Sequence, residues 1–258
     1  MERESTMHSR SDTEFPSRTL NVVGGAASLL AAVLVLCEVV MFAVYPQPAG
    51  IVDWYRLLRE NPLIGWVDLW GLELLMYAAF VPMFIALYAA LKKADPGWTK
   101  VALAAAMLGV GIFFATNNPA SMMSLAREYA AASTDAERTA LLGAGQALLA
   151  ATGQRAVGGF NTGLFFVSVA GLIFSWKMLG GCVFERSAAI TGLLAHALSL
   201  LDYLRAAVTS SEIALLLIVL PNSLLLVVFY ILTGRTLLRQ GNRSSPEPRS
   251  PDRPPAGR

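Results

Sequence analysis

A run of 26 residues, Leu20 to Tyr45, is apolar apart from glycines, Asn21, Ser28 and a single carboxylate, Glu38. At ~1.5 Å rise per residue, such a run outreaches the ~30 Å hydrocarbon core of a bilayer and predicts a membrane-spanning helix. An acid inside that helix needs a physical reason, because charge in hydrocarbon is costly. Five further apolar blocks follow. The expected fold class is all-α: a polytopic membrane protein with six transmembrane helices at about 20–45, 69–91, 101–118, 157–179, 188–204 and 213–233. Only 15% of the chain is charged, against ~25% for soluble domains, and the deficit is concentrated in these blocks.

The segments between the blocks carry their own signals. Residues 1–19 are polar and of mixed charge, unlike a secretory signal, so the first span is expected to be retained as an anchor after a cytoplasmic N-terminal segment. Pro46, Pro48 and Gly50 end the first helix. Trp54, Tyr55, Leu57 and Leu58 beside Asp53, Arg56 and Arg59 suit an interfacial helix. Asp95, Pro96 and Gly97 read as a turn. Residues 120–155 read as two amphipathic helices outside the hydrocarbon. The first carries Met122, Leu125, Ala126 and Tyr129, and the second opens on a Thr134–Glu137 capping box. With residues 46–68 they are expected to form a cap on one end of a 20–235 bundle. Residues 236–258, rich in Arg, Ser and Pro, are expected to be a disordered cytoplasmic tail.

Fourteen of the 20 Lys and Arg residues fall on the side of the two termini and six on the other. The positive-inside rule therefore predicts cytoplasmic termini and an extracytoplasmic cap. The C-terminal arginines carry much of that asymmetry. No internal repeat supports a transporter built from inverted halves.

Under this topology the intramembrane polar groups gather in the cap-side half. Glu38 lies ~10 Å below the cap-side end of its helix, and Glu73 lies near the start of the second span. Asn117 closes the third, Asn161 opens the fourth, His196 sits within the fifth, and Asp202 with Arg205 closes it. Gly24, Ser28, Ala31, Val35 and Glu38 recur every three or four residues. Small residues mark packed helix faces in membranes, so Glu38 is expected to face the bundle interior. Asn161, Phe165, Ser168, Leu172 and Ser175 form a second such stripe, and Gly192, His196 and Ser199 a third. Pro221 frees one backbone carbonyl, which Asn222 or Ser223 is placed to satisfy.

Two readings apply to these residues. In one, Glu38 and Glu73, with Asn117, Asn161, His196 and Asp202, line an outward-facing polar pocket for a small molecule, cation or proton. In the other, they hold helices together, Asp202 pairs with Arg205, and His196 is a hydrogen-bonded core residue. The leading expectation is a ligand- or ion-binding membrane protein, and the alternative is a structural or regulatory subunit. An enzyme is less expected. There are two histidines, His8 and His196, too few for a three-His zinc site, and no hydrolase or phosphate-loop motif. Cys37 and Cys182 are expected at opposite faces, unable to bridge. No cofactor or metal is expected. The partners are the lipid bilayer and a small-molecule or cation ligand, with no nucleic acid, since a net charge of +2 lacks a basic-aromatic stripe. Oligomeric state stays open.

Several stretches together resemble a bacterial family of six-span membrane proteins catalogued as domain-of-unknown-function family 4386. They are Gly71–Glu73 with the run to Leu91 and Lys92, Ser124–Tyr129, Glu185–Arg186 with Ile190–Gly192, and Leu220–Asn222 leading to Gly234. The resemblance spans about residues 20–236. It implies six helices in a bacterial inner membrane, and no activity, substrate or cofactor.

Overall fold

The computed structural model describes residues 15–45, 47–152, 161–208 and 212–243. Ten α-helices carry the described chain: α1 (Phe15–Val44), α2 (Ile51–Glu60), α3 (Pro62–Trp66), α4 (Leu72–Leu91), α5 (Pro96–Thr116), α6 (Pro119–Ala131), α7 (Asp135–Ala151), α8 (Thr162–Leu179), α9 (Arg186–Val208) and α10 (Glu212–Arg243). A π-helical turn, Val67–Gly71, joins α3 to α4. Among the described residues six helices are long and apolar enough to cross a membrane, and the protein is an all-α multi-span membrane protein.

The six long helices pack in chain order. α1 lies on α4, α4 on α5, α5 on α8, α8 on α9, and α9 on α10, which returns to α1 and closes the ring. Glycine makes the closest approaches. A side chain at Gly109 would strike the Gly163 carbonyl across α5 and α8, and one at Gly25 would strike the Gly234 carbonyl across α1 and α10. Gly163 is therefore a packing residue, in keeping with the Gly159-x-x-x-Gly163 pattern of the sequence, of which Gly159, like Gly158, lies outside the described residues. Aromatic rings fill the centre. Tyr77 stacks on Phe113 at 3.6 Å between centroids, Phe84 on Phe174 at 5.8 Å, and Phe80 tilts against Tyr230 at 5.7 Å.

The cap forms as a second, smaller core. Ile51, Trp54, Tyr55 and Leu58 of α2 meet Leu69 and Trp70 of the π turn, Met122 and Ala126 of α6, and Leu149 of α7. Tyr55 donates its hydroxyl to the Leu141 carbonyl at 2.7 Å. Burial, the nearby Glu128 and Tyr129 push that phenol up to about 12. The Thr134–Glu137 capping box forms as expected, and its backbone donors hold the Glu137 carboxyl below the ordinary range.

At the opposite end the turn falls on residues 92–94, just before the expected Asp95–Gly97, and Asp95 caps α5, accepting from Gly97 and Trp98 N–H at 3.1 Å each, with Pro96 at the first helical position. The third span thus starts at Pro96, before the expected 101. Lys177 reaches Asp95 at 2.7 Å and holds its carboxyl below the usual range. Trp98 and Trp176, both exposed, meet edge to face at 5.8 Å. Such a pair suits the membrane-water boundary.

Two further boundaries differ from expectation. The second span begins at Pro62 rather than about 69, because Pro62 starts a helix that the π turn carries into α4. The sixth does not stop at 233. α10 runs to Arg243, so the first part of the expected disordered tail is helical. Gly234, Leu238 and Gly241 lie against Gly25, Leu29 and Val22 of α1, and Leu237 is fully buried. The arginines interleave with a packed stripe there and do not interrupt the helix.

Candidate intramembrane acidic site

The inner stripe of α1 is buried as its spacing requires. Gly24 seats against Ala86 and the Pro82 carbonyl of α4; Ser28 donates to the Tyr230 carbonyl of α10 at 2.8 Å; Ala31 and Val35 are buried. Three residues beyond Val35, Glu38 continues this line and is half-buried. Glu73 of α4 is also half-buried, one turn from Tyr77 on the same face.

Tyr77 is where these elements meet. It is 1% exposed, and its hydroxyl has no hydrogen-bond partner among the described residues. Glu73, Glu38, Tyr203 and Tyr230 all lie close enough to act on it electrostatically, and Glu38 also acts on Tyr230. Glu38 of α1 and Glu73 of α4 are therefore both felt electrostatically at one buried phenol. Leaving a buried hydroxyl unsatisfied costs about 1–3 kcal/mol. A bound water, cation or polar ligand would remove that cost.

The other residues singled out in the sequence sit elsewhere. Asn117, with its amide oxygen turned to the indole, accepts from Trp70 Nε1 at 3.1 Å while its nitrogen donates to the Phe113 carbonyl at 3.1 Å. It fastens the cap to the bundle. Asn161 caps α8, accepting from Leu164 N–H at 2.9 Å. Asp202 pairs with Arg205 at 2.7 Å. His196 is wedged over Gly171 and stands edge to face on Phe229 at 5.3 Å; its Nε2 is buried without a partner among the described residues. Asn222 does not reach the carbonyl freed by Pro221. It donates to Ser199 Oγ at 3.0 Å, and Ser223 donates to the Val219 carbonyl at 2.9 Å.

Sequence reasoning missed two things. Tyr77, Tyr203 and Tyr230 pass for apolar residues inside spans, and only the Glu73–Tyr77 spacing hinted at a polar pairing. Asp68 was placed in a connecting segment. It is buried in the π turn, and both carboxylate oxygens lack partners among the described residues. A carboxylate between Trp66 and Trp70 was the available signal.

Among the described residues no group of three or more His, Cys, Asp or Glu could hold a metal ion. Cys37 and Cys182 are free and exposed. No protein-family model, curated protein or solved structure matches the chain. The site is therefore read from its own chemistry, as two half-buried carboxylates on neighbouring helices whose charge reaches a buried phenol.

Proposed function

We propose that the protein binds a small cationic ligand or ion within the membrane, with Glu38 and Glu73 as the charge-bearing groups. The observation that carries this reading is the buried Tyr77 hydroxyl, which has no hydrogen-bond partner among the described residues and feels the charge of both acids from different helices. Intramembrane acids face bundle interiors or watery cavities and mark ion and substrate paths. Two half-buried carboxylates whose charge reaches a buried phenol would offer a desolvated cation anionic and neutral ligands together. Asn117 and Asn161 fall out of the ligand set, having structural bonds of their own.

The proposed setting is a bacterial inner membrane with both termini cytoplasmic, as a member of the six-span family the sequence resembles. The lysines, arginines and exposed tryptophans at the end opposite the cap support that orientation.

Sodium and tetramethylammonium binding to the full chain in lipid nanodiscs tests the function. Saturable binding lost in Glu38→Gln, Glu73→Gln and Tyr77→Phe, with the variants folded, is the expected result. Binding that is absent or indifferent to all three substitutions rejects it.

A structural subunit is the competing reading, favoured by the Ser28–Tyr230, Asn222–Ser199 and Asn117–Trp70 bonds. It predicts lower stability from the glutamine variants and no change in any binding.

A further inference from the structure

An apolar groove of about 490 Å3 runs along the seam between α1 and the start of α4, lined by Cys37, Val40, Met41 and Val44 on one side and Val67 and Leu72 on the other. The π turn builds it. Val67 and Leu72 are five residues apart, and one extra residue in the turn places both on the same wall. The residues that follow them toward the interior are Asp68 and Glu73.

Glu38 stands where this groove meets the acidic site. It lies three and seven residues beyond Val35 and Ala31 on the buried stripe. It also lies three and seven residues before Met41 and Tyr45, which line the groove. Glu38 is thus on the edge shared by the two surfaces, and Glu73 adjoins Leu72 on the facing helix. One turn along α4 from Glu73, the buried Tyr77 hydroxyl has no hydrogen-bond partner among the described residues. The open apolar groove is lined by the sequence neighbours Cys37 of Glu38 and Leu72 of Glu73.

Resting on the cation-binding reading above, we infer that the ligand is an amphiphilic monovalent cation that enters sideways from the bilayer, its apolar tail in the α1–α4 groove and its ammonium head at Glu38 and Glu73. Hydrocarbon lining without a charge would accept any lipid chain, and acids without the groove would accept any small cation. Their junction selects a molecule carrying both parts. The π turn serves this arrangement by widening α4 where the tail lies.

The protein supplies its own reporter, because Cys37 lines the groove while Cys182 is exposed in the α8–α9 connection at the far end. Alkylation of both thiols by N-ethylmaleimide is followed in the full chain in phosphatidylcholine nanodiscs, with dodecyltrimethylammonium, dodecanol or tetramethylammonium present. At about ten times its Kd, dodecyltrimethylammonium should slow Cys37 alkylation about tenfold and leave Cys182 unchanged. Dodecanol should protect neither thiol. Glu38→Gln and Glu73→Gln should abolish the protection. So should Val40→Trp, which fills the groove from an exposed position and does not disturb the core. Equal protection by dodecanol overturns the inference, as does protection that survives both glutamine variants. Failure of protection while tetramethylammonium still binds through Glu38 and Glu73 overturns the amphiphile and leaves the cation site standing. Failure of both overturns the reading beneath it.

Discussion

Ser28 on the first helix donates its hydroxyl to the Tyr230 carbonyl on the last at 2.8 Å, and this bond sits on the seam that closes the six-helix ring. About one turn below it, the adjacent Gly24 and Gly25 let α1 touch α4 and α10 respectively. The first helix is held on two sides by residues too small to keep its neighbours away. Glu38 continues the same stripe, so its position follows from how α1 packs.

Gly24→Val tests that packing. A branched side chain there meets Ala86 and the Pro82 carbonyl, and overpacking of this kind costs about 1–3 kcal/mol. Ser28→Ala, which removes one interhelical bond, should cost about 0.6 kcal/mol. Thermal unfolding in one detergent should rank the two in that order. A Gly24→Val variant as stable as the parent would mean that α1 and α4 are not in contact there.

The histidine slot gives a compensated pair. Gly171→Ala drives a methyl group into the His196 ring and should destabilise by about 1–3 kcal/mol. Adding His196→Ala should recover much of the loss, because the methyl then occupies vacated space. Strict additivity in a double-mutant cycle would show that the two residues do not touch.

Asp68 carries a carboxylate whose two oxygens are buried and unpartnered among the described residues. Asp68→Asn keeps its volume and removes the charge. It should raise the stability of the cap, by about 1–3 kcal/mol if the carboxylate is charged in the folded protein. Hydrogen exchange in α2 and α6 reads the effect locally. Faster exchange in the variant would show that the carboxylate holds a partner the cap depends on.

Tyr55 makes the cap sensitive to alkali. Its phenol is raised from an ordinary value of 10.0 to about 12 in the folded state, so folding is favoured fully below pH 10. That contribution, on the order of 2 kcal/mol, is lost as pH rises toward 12. Tyrosine fluorescence and exchange in α7 should report cap release over that window in the parent, and Tyr55→Phe should flatten the curve. Asp95 acts at the other end of the scale. Its lowered value makes the Lys177 contact stabilising above about pH 4 and lost on acidification. Asp95→Asn should weaken the acid dependence of stability.

What the sequence made legible depended on regular helices and local signals. The three- and four-residue recurrence from Gly24 to Glu38 placed the acid on a buried face. The Thr134–Glu137 box and the amphipathic spacing placed the cap helices. The 62–71 segment was misread because the π turn breaks the recurrence that pattern reasoning relies on. Asp68 therefore looked like loop, and the common wall of Val67 and Leu72 was invisible. The arginines beyond Thr233 mimicked a solvated tail, although the glycines and leucines between them pack on α1. Tyr203 and Tyr230 come within electrostatic reach of Tyr77 only through tertiary packing of three helices, and nothing in the sequence around each announces it. Asn117 and Asn161 were correctly located, but a polar residue at a helix end looks the same whether it binds a ligand or caps a helix.

The proposed cation binding requires Glu38 and Glu73 to serve one site. A double-mutant cycle on tetramethylammonium binding, with Glu38→Gln, Glu73→Gln and the pair, measures that relationship directly. Shared use predicts strong coupling, about 0.5–3 kcal/mol, with each single variant losing nearly as much as the pair. Additive losses, or no loss from either substitution, would contradict it.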